Sequence, residues 1–210
     1  MTPTEPHGPR YLVEPGLRPD HRPQAAMDYW QAFSRKLRYP LGPRRKAVAF
    51  LERVLDPDHA ISAVGSDGKF LGVAGFKSPQ GAFVGGGIRD MIEVYGWIGG
   101  PARSLLVATL ERECEDGVLL MDGIFVRNAA RGLGIGTALL AAVERHAADC
   151  GLQQVRLDVI DTNPRARALY ERLGFRETST VSMGVLGHIF GFESATTMTK
   201  EARDAGCEEP

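Results

Sequence analysis

A chain of 210 residues, 43% apolar and 24% charged, is long enough for one good-sized domain and ordinary in composition for a soluble globular protein. Its formal net charge of −1 argues against a surface built to coat nucleic acid or an anionic membrane. Cys114, Cys150 and Cys207 are an odd, widely spaced set with no C-x-x-C or Cys/His cluster, so neither a metal site nor a disulfide framework is expected.

Residues 1–9 lack the apolar core of a signal peptide. The longest purely apolar runs fall far short of the roughly 20 residues of a spanning helix. A soluble, cytoplasmic protein is the expectation.

In chain order, residues 1–10 read as a proline-rich arm. Tyr11 to Glu14 read as a short strand closed by Pro15-Gly16. Met27, Trp30, Phe33 and Leu37 recur at helical spacing over 24–37, and Pro40-Leu41-Gly42-Pro43 ends that helix. A second helix carries Ala47, Phe50, Leu51 and Val54 on one face and stops at Asp56-Pro57. Segments 59–64 and 70–76 flank Gly65-Ser66-Asp67-Gly68-Lys69, a strong hairpin signal. The 77–117 stretch reads as an inserted helical segment, two helices hinged by Gly99-Gly100, with Gly85-Gly86-Gly87 as a further flexible hinge.

The richest stretch is 119–175. A buried strand over 119–126 precedes Arg131-Gly132-Leu133-Gly134-Ile135-Gly136-Thr137, which opens into a helix over 136–150. In that helix Leu139, Leu140, Val143 and Ala147 face the core. A strand over 155–160 follows, then a helix capped by Asn163 with Pro164 in its first turn, stopped by Gly174 with Phe175 packing back. Segments 176–184 and 189–200 read as closing strands, and 201–210 as a polar tail. Helices alternating with strands imply one α/β domain over 11–200 with a mixed sheet.

Glycines in the turn let backbone N–H groups approach a ligand, and the helix dipole adds positive potential, so the place suits a diphosphate. It is not a dinucleotide fingerprint, since Thr137 stands where the third glycine belongs, nor a P-loop, since no lysine follows Gly136. What remains, Arg131-x-x-Gly134-x-Gly136 after a strand, resembles motif A of the GNAT superfamily of N-acetyltransferases. The run from Asn163-Pro164-Arg165-Ala166 through Leu169-Tyr170 to Gly174-Phe175 is similar to that superfamily's motif B. Together the matching region covers about a quarter of the chain.

The resemblance implies a GNAT-like fold, with a central, mostly antiparallel mixed sheet flanked by helices. It also implies acetyl-CoA as acyl donor. Arg131, Gly132, Leu133, Gly134, Ile135, Gly136 and Thr137 would hold the diphosphate, each charge-assisted hydrogen bond contributing about 1.5–3 kcal/mol. Ile124, Phe125 and Val126 would lie along the pantetheine, Ile124 and Val126 pairing through their backbone and the segment offering an N–H to the developing oxyanion. Asn163 would add a contact. Tyr170 would protonate the departing thiolate, a transfer uphill by about 2 kcal/mol from unperturbed pKa values. Asp122 is the first candidate for general base, expected on the face opposite Gly123 and Phe125; Glu93, Trp97 and His188 are weaker candidates for the acceptor pocket.

A lysine amine costs about 4.6 kcal/mol to deprotonate at pH 7 and an α-amino group only about 1, so the acceptor decides how much base is needed. The expected acceptor is a small-molecule or peptide amine, and no metal or covalent enzyme intermediate is implied. The 77–117 segment departs from the family's simple pattern and is expected to shape the acceptor site or a homodimer contact. The alternative is a non-catalytic acyl-CoA sensor, against which the retained Tyr170 argues. A nucleic-acid reading is weaker, because Arg165, Arg167 and Arg172 fit a solvated helix face or the 3′-phosphate of CoA.

Overall fold

The computed structural model describes residues 11–108, 114–184 and 187–202. Cys207, the 1–10 arm, most of the 201–210 tail and part of 77–117 lie outside them. In chain order the elements are β1 (Tyr11–Pro15), α1 (Arg22–Leu41), α2 (Arg44–Val54), β2 (Ala60–Gly65), β3 (Phe70–Ser78), the short β4 (Gly81–Ala82) and α3 (Ile88–Ala108). There follow β5 (Val118–Val126), α4 (Ile135–Asp149), β6 (Gln154–Ile160), α5 (Pro164–Arg172), β7 (Arg176–Ser182), the one-turn α6 (Gly187–Phe190) and β8 (Ser194–Glu201).

The strands form one sheet in the order β1-β2-β3-β5-β6-β8-β7, with β4 on β3. Among the described residues every ladder is antiparallel except β5–β6. The mixed, mostly antiparallel sheet expected from the resemblance is therefore present. Its two faces bury separate cores. On one, Phe70, Val73, Phe83 and Phe125 pack against Tyr29 and Trp30 of α1, Phe50 and Leu51 of α2, and Tyr95 of α3. On the other, Ala74, Phe76, Leu119 and Met121 pack against Ile135, Leu139, Leu140 and Val143 of α4, with Tyr170 and Phe175 alongside.

Three local readings need correcting. The inward face of α1 carries Ala26, Tyr29, Trp30 and Phe33, whereas Met27 is 40% exposed. The break in α3 is at Gly96, whose φ of 80° and ψ of 170° lie outside the helical region, and not at Gly99-Gly100. Gly100 is buried inside the second half, where a Cβ would sit 2.8 Å from the Ile92 backbone. The third is Gly85-Gly86-Gly87, which is no loose hinge. A Cβ on Gly86 would meet Val54 at 2.7 Å, and the Gly87 N–H donates to Asp90 Oδ2 at 2.9 Å to start α3. Of the three, Gly86 is fixed both by that close packing and by its φ of 114°, and Gly87 by its hydrogen bond to Asp90.

Candidate active site

β5 and β6 pair over only three residues, Val118–Leu120 against Gln154–Arg156. Beyond that point β5 runs on to Val126 and β6 to Ile160 without pairing, so the sheet splits open toward their C-terminal ends.

The split exposes particular backbone groups of β5. Arg127 N donates to Leu71 O at 2.8 Å, which fixes the alternation of the antiparallel β3–β5 ladder. Val73–Phe125 and Gly75–Gly123 are then the pairs that exchange hydrogen bonds. Ile124 and Val126, opposite Ala74 and Gly72, turn their N–H and C=O groups away from β3 and into the split. Arg131 Nε reaches Val126 O at 3.4 Å, in keeping with that direction.

A bulge sets the side chains. Gly75 faces Gly123 while Phe76 faces Met121, so Asp122 is the extra residue on β5. The insertion flips the alternation. Met121 and Ile124 belong to the α4-side core, and Gly123 looks toward α1, where a Cβ would meet Phe33 at 2.8 Å. Asp122 lies on the α1 side too. Its Oδ2 accepts from the Val84 N–H at 2.8 Å, and its charge, after burial, helps hold the Tyr29 phenol well above its usual range. The expectation that Asp122 faces away from Gly123 and Phe125 is thus corrected, because strict alternation does not survive a bulge. Tyr29, one turn before Phe33, was the neighbour missed; its spacing from Phe33 was the available signal.

The turn after β5 approaches the split from the α4 side. A short 3-10 turn, Asn128–Ala130, leads through extended Arg131 to Gly132 at φ 81° and Gly134 at φ 77°, which is the N-cap of α4. Both glycines hold backbone that a side chain would strain. The first intrahelical bond runs from Ala138 N to Gly134 O, and Gly134 has no side chain to cap the helix. The N–H groups of Ile135, Gly136 and Thr137 are therefore left for an external acceptor. Gly132, Leu133, Gly134 and Thr137 are exposed, and Ile135 is buried as the hydrophobic anchor of the turn.

α5 closes the same side. Asn163 Oδ1 accepts from Ala166 N at 3.3 Å, so its oxygen serves as the cap and a ligand contact would fall to its amide NH2. Tyr170 is 7% exposed, its ring 5.9 Å from that of Phe175. Burial pushes its phenol up to about 12. Of the three motif arginines, Arg167 is tied to Glu171 at 2.9 Å and Glu177 at 2.5 Å.

The acceptor-pocket candidates fare unequally. Glu93 is 55% exposed and pairs with Arg53 at 2.7 Å, and Trp97 is 83% exposed on the outside of α3. His188 lies in α6, with its side chain outside the described residues. Ile124 and Val126 face the split beside the glycine turn, Tyr170 shares the core beneath that turn with Ile135, and Asp122 sits at the bulge on the α1 side against the Val84 N–H. Cys114 is half-buried ahead of β5 and Cys150 is exposed after α4.

Known proteins agree with this layout. The sequence model of the acetyltransferase (GNAT) family matches residues 24–175, from α1 through Phe175. Aminoglycoside N(6′)-acetyltransferase type 1 of Salmonella typhimurium (strain LT2) is 26% identical over 157 residues, 74% of this chain and 88% of that enzyme. Thialysine N-epsilon-acetyltransferase of Bos taurus is 36% identical over 75 residues, a match spanning 36% of this chain and less than half, 42%, of the bovine protein. A GCN5-related N-acetyltransferase from Kribbella flavida superposes with a TM-score of 0.57 at 18% identity, covering 91% of this chain and 98% of that one, and so shares the fold. With nearly three quarters of its length inside the family match, and with the split sheet and glycine turn in place, the chain belongs to the GNAT family of acetyltransferases.

Proposed function

We propose that the protein is an N-acetyltransferase that uses acetyl-CoA as its acyl donor and a primary amine as acceptor, with direct attack of the amine on the thioester. The observation that carries this reading is the convergence of two sets of unbonded donors. Backbone groups of Ile124 and Val126 line the split in the sheet, and the N–H groups of Ile135 to Thr137 stand at its α4 edge. A diphosphate joined to an extended chain with amides fits that arrangement. Gly132 and Gly134 admit the diphosphate without a side chain in the way, and the Arg131 guanidinium adds charge.

The acid and base sit on opposite faces of the sheet. Tyr170 lies on the α4 side with the donor, and Asp122 lies on the α1 side, from which the amine approaches. The amine nitrogen attacks the thioester carbon, and an N–H of the Ile124–Val126 segment stabilises the oxyanion. Collapse expels the thiolate, which takes the proton of Tyr170. The ammonium proton leaves to the Asp122 carboxylate, which is held by the Val84 N–H, or to water. Relatives named for an aminoglycoside and for thialysine support an amine acceptor.

The test is thiol release from acetyl-CoA against a panel of amines, with Tyr170→Phe as control. We expect turnover with at least one amine and a kcat roughly a hundredfold lower in the variant, with KM for acetyl-CoA within a few-fold. Donor uptake without turnover on any amine would instead identify an acyl-CoA sensor.

A further inference from the structure

Tyr11 opens β1, the edge strand of the sheet. Tyr11 and Val13 pack on the α4-side core while Leu12 between them is 59% exposed, the alternation of a half-buried strand. α4 in turn lies across β1, β2, β3 and β5. The start of β1 is thereby brought beside the head of that helix. A Cβ built on Gly134, its N-cap, would stand 3.7 Å from the Tyr11 hydroxyl oxygen. Among the described residues, no other atom beyond the chain neighbours of Gly134 comes within 4 Å of that point, and none comes as near to the matching point on Gly132. The head of α4 is open save for this one hydroxyl.

A tyrosine whose ring is anchored in a core ordinarily brings its O–H to a partner. The Tyr11 ring is half-buried, yet its hydroxyl makes no hydrogen bond to any described residue. What stands beside it is a set of donors. The N–H groups of Ile135, Gly136 and Thr137 have no intrahelical acceptor, and the Gly134 carbonyl already accepts from Ala138 N. Three main-chain donors and a hydroxyl thus gather where one anion can satisfy them together.

We infer that the Tyr11 hydroxyl is a further ligand of the donor's diphosphate, donating to one of its oxygens from the β1 side while the α4 N–H groups donate along the helix axis. The inference rests on the acetyl-CoA reading above and adds to it a residue far in sequence from both motifs. A hydrogen bond from a hydroxyl to an ionised oxygen is short and strong. The phenol turns about two side-chain torsions only, and its ring is already held by the core, so little freedom is lost on binding. Glycine at 134 keeps the space between hydroxyl and helix head clear, since a side chain there would enter it.

Calorimetric titration of the wild-type chain and of Tyr11→Phe with CoA tests it, with inorganic pyrophosphate and pantetheine read as competitors. Loss of the hydroxyl is expected to weaken CoA and pyrophosphate by roughly tenfold or more. Pantetheine, which has no diphosphate, is expected to change by less than about twofold. The melting temperature of the ligand-free variant should stay within about 1 °C of wild type, because no hydrogen bond inside the protein is removed. A merely structural tyrosine gives the reverse, a lower melting temperature with CoA uptake intact, and that result overturns the inference. Equal uptake of CoA by two equally stable chains overturns it too, and leaves the acetyl-CoA reading standing. A folded wild type that takes up no CoA overturns that reading and this inference with it. Equal losses for CoA and pantetheine would assign the hydroxyl to the amide-bearing chain, which also overturns it.

Discussion

Tyr170 keeps its proton because its phenolate would be buried. With the phenol at about 12 rather than 10, complete transfer to a thiolate near 8.5 is uphill by about 5 kcal/mol, not about 2. In the proposed reaction the proton would then move as the C–S bond stretches and charge builds on sulfur, not ahead of it. The same shift keeps the phenol protonated at every ordinary pH. Plots of kcat against pH are accordingly expected to show no loss of an essential acid below about pH 11. An alkaline limb centred near 9 would assign the proton to another group.

At the turn, Gly134→Val forces a β-branched residue to φ 77° at a strain of about 1–2 kcal/mol and crowds the donors beside it. CoA uptake should weaken by at least about tenfold, more than the small drop in melting temperature explains. At the bulge, Asp122→Asn keeps the shape but lowers the basicity. Activity on lysine-like amines should fall steeply, and activity on α-amino acceptors only slightly, read as kcat/KM across the amine panel.

At the scale of elements, α5 depends on its first turn. Asn163→Ala removes the acceptor for Ala166 N and should cost about 1 kcal/mol, a melting shift of roughly 2–4 °C. The β3–β5 ladder depends on an absent side chain. A Cβ at Gly75 would stand 2.2 Å from the fully buried Phe83 ring, so Gly75→Ala should destabilise by about 1–3 kcal/mol in a urea titration.

These elements also mark what the sequence made legible. The β2–β3 hairpin, α4, α5 and their caps were readable because each rests on local chemistry: Asp-Gly, a 3.6-residue period, Asn-Pro. The bulge at Asp122 was not, because it depends on Phe83 and Phe33 reserving the space opposite Gly75 and Gly123, contacts from distant parts of the chain. The same holds for α6, a single turn secured by Phe190 in a small core with Phe192 and Ala195. It holds also for the place of β8 between β6 and β7, which no local signal encodes. Motif residues of the glycine turn were legible as a set, but that Ile124 and Val126 face the split required the register of a neighbouring strand.

For the whole molecule, three buried tyrosines act together above neutrality. Tyr29 is held well above its usual range and Tyr95 and Tyr170 at about 12, burial being the leading cause for each. The unfolded chain releases these protons near pH 10 and the folded chain retains them, so the folded form binds more protons there. Their contribution is fully present below pH 10 and is lost as the pH climbs through about 12. Urea midpoints are expected to be flat from pH 8 to about 9.5 and then to fall. Tyr170→Phe should flatten that fall by up to about 3 kcal/mol.

In the proposed function a diphosphate rests on the main-chain donors at the head of α4 and a thioester lies along the free edge of β5. Calorimetric titration of the wild-type chain with CoA, and in parallel with pantetheine, which lacks the diphosphate, tests that placement most directly. Saturable uptake of CoA with pantetheine at least roughly a hundredfold weaker is the predicted result, since at least two charge-assisted hydrogen bonds are removed. Natively folded protein that takes up neither, or both equally, would contradict it.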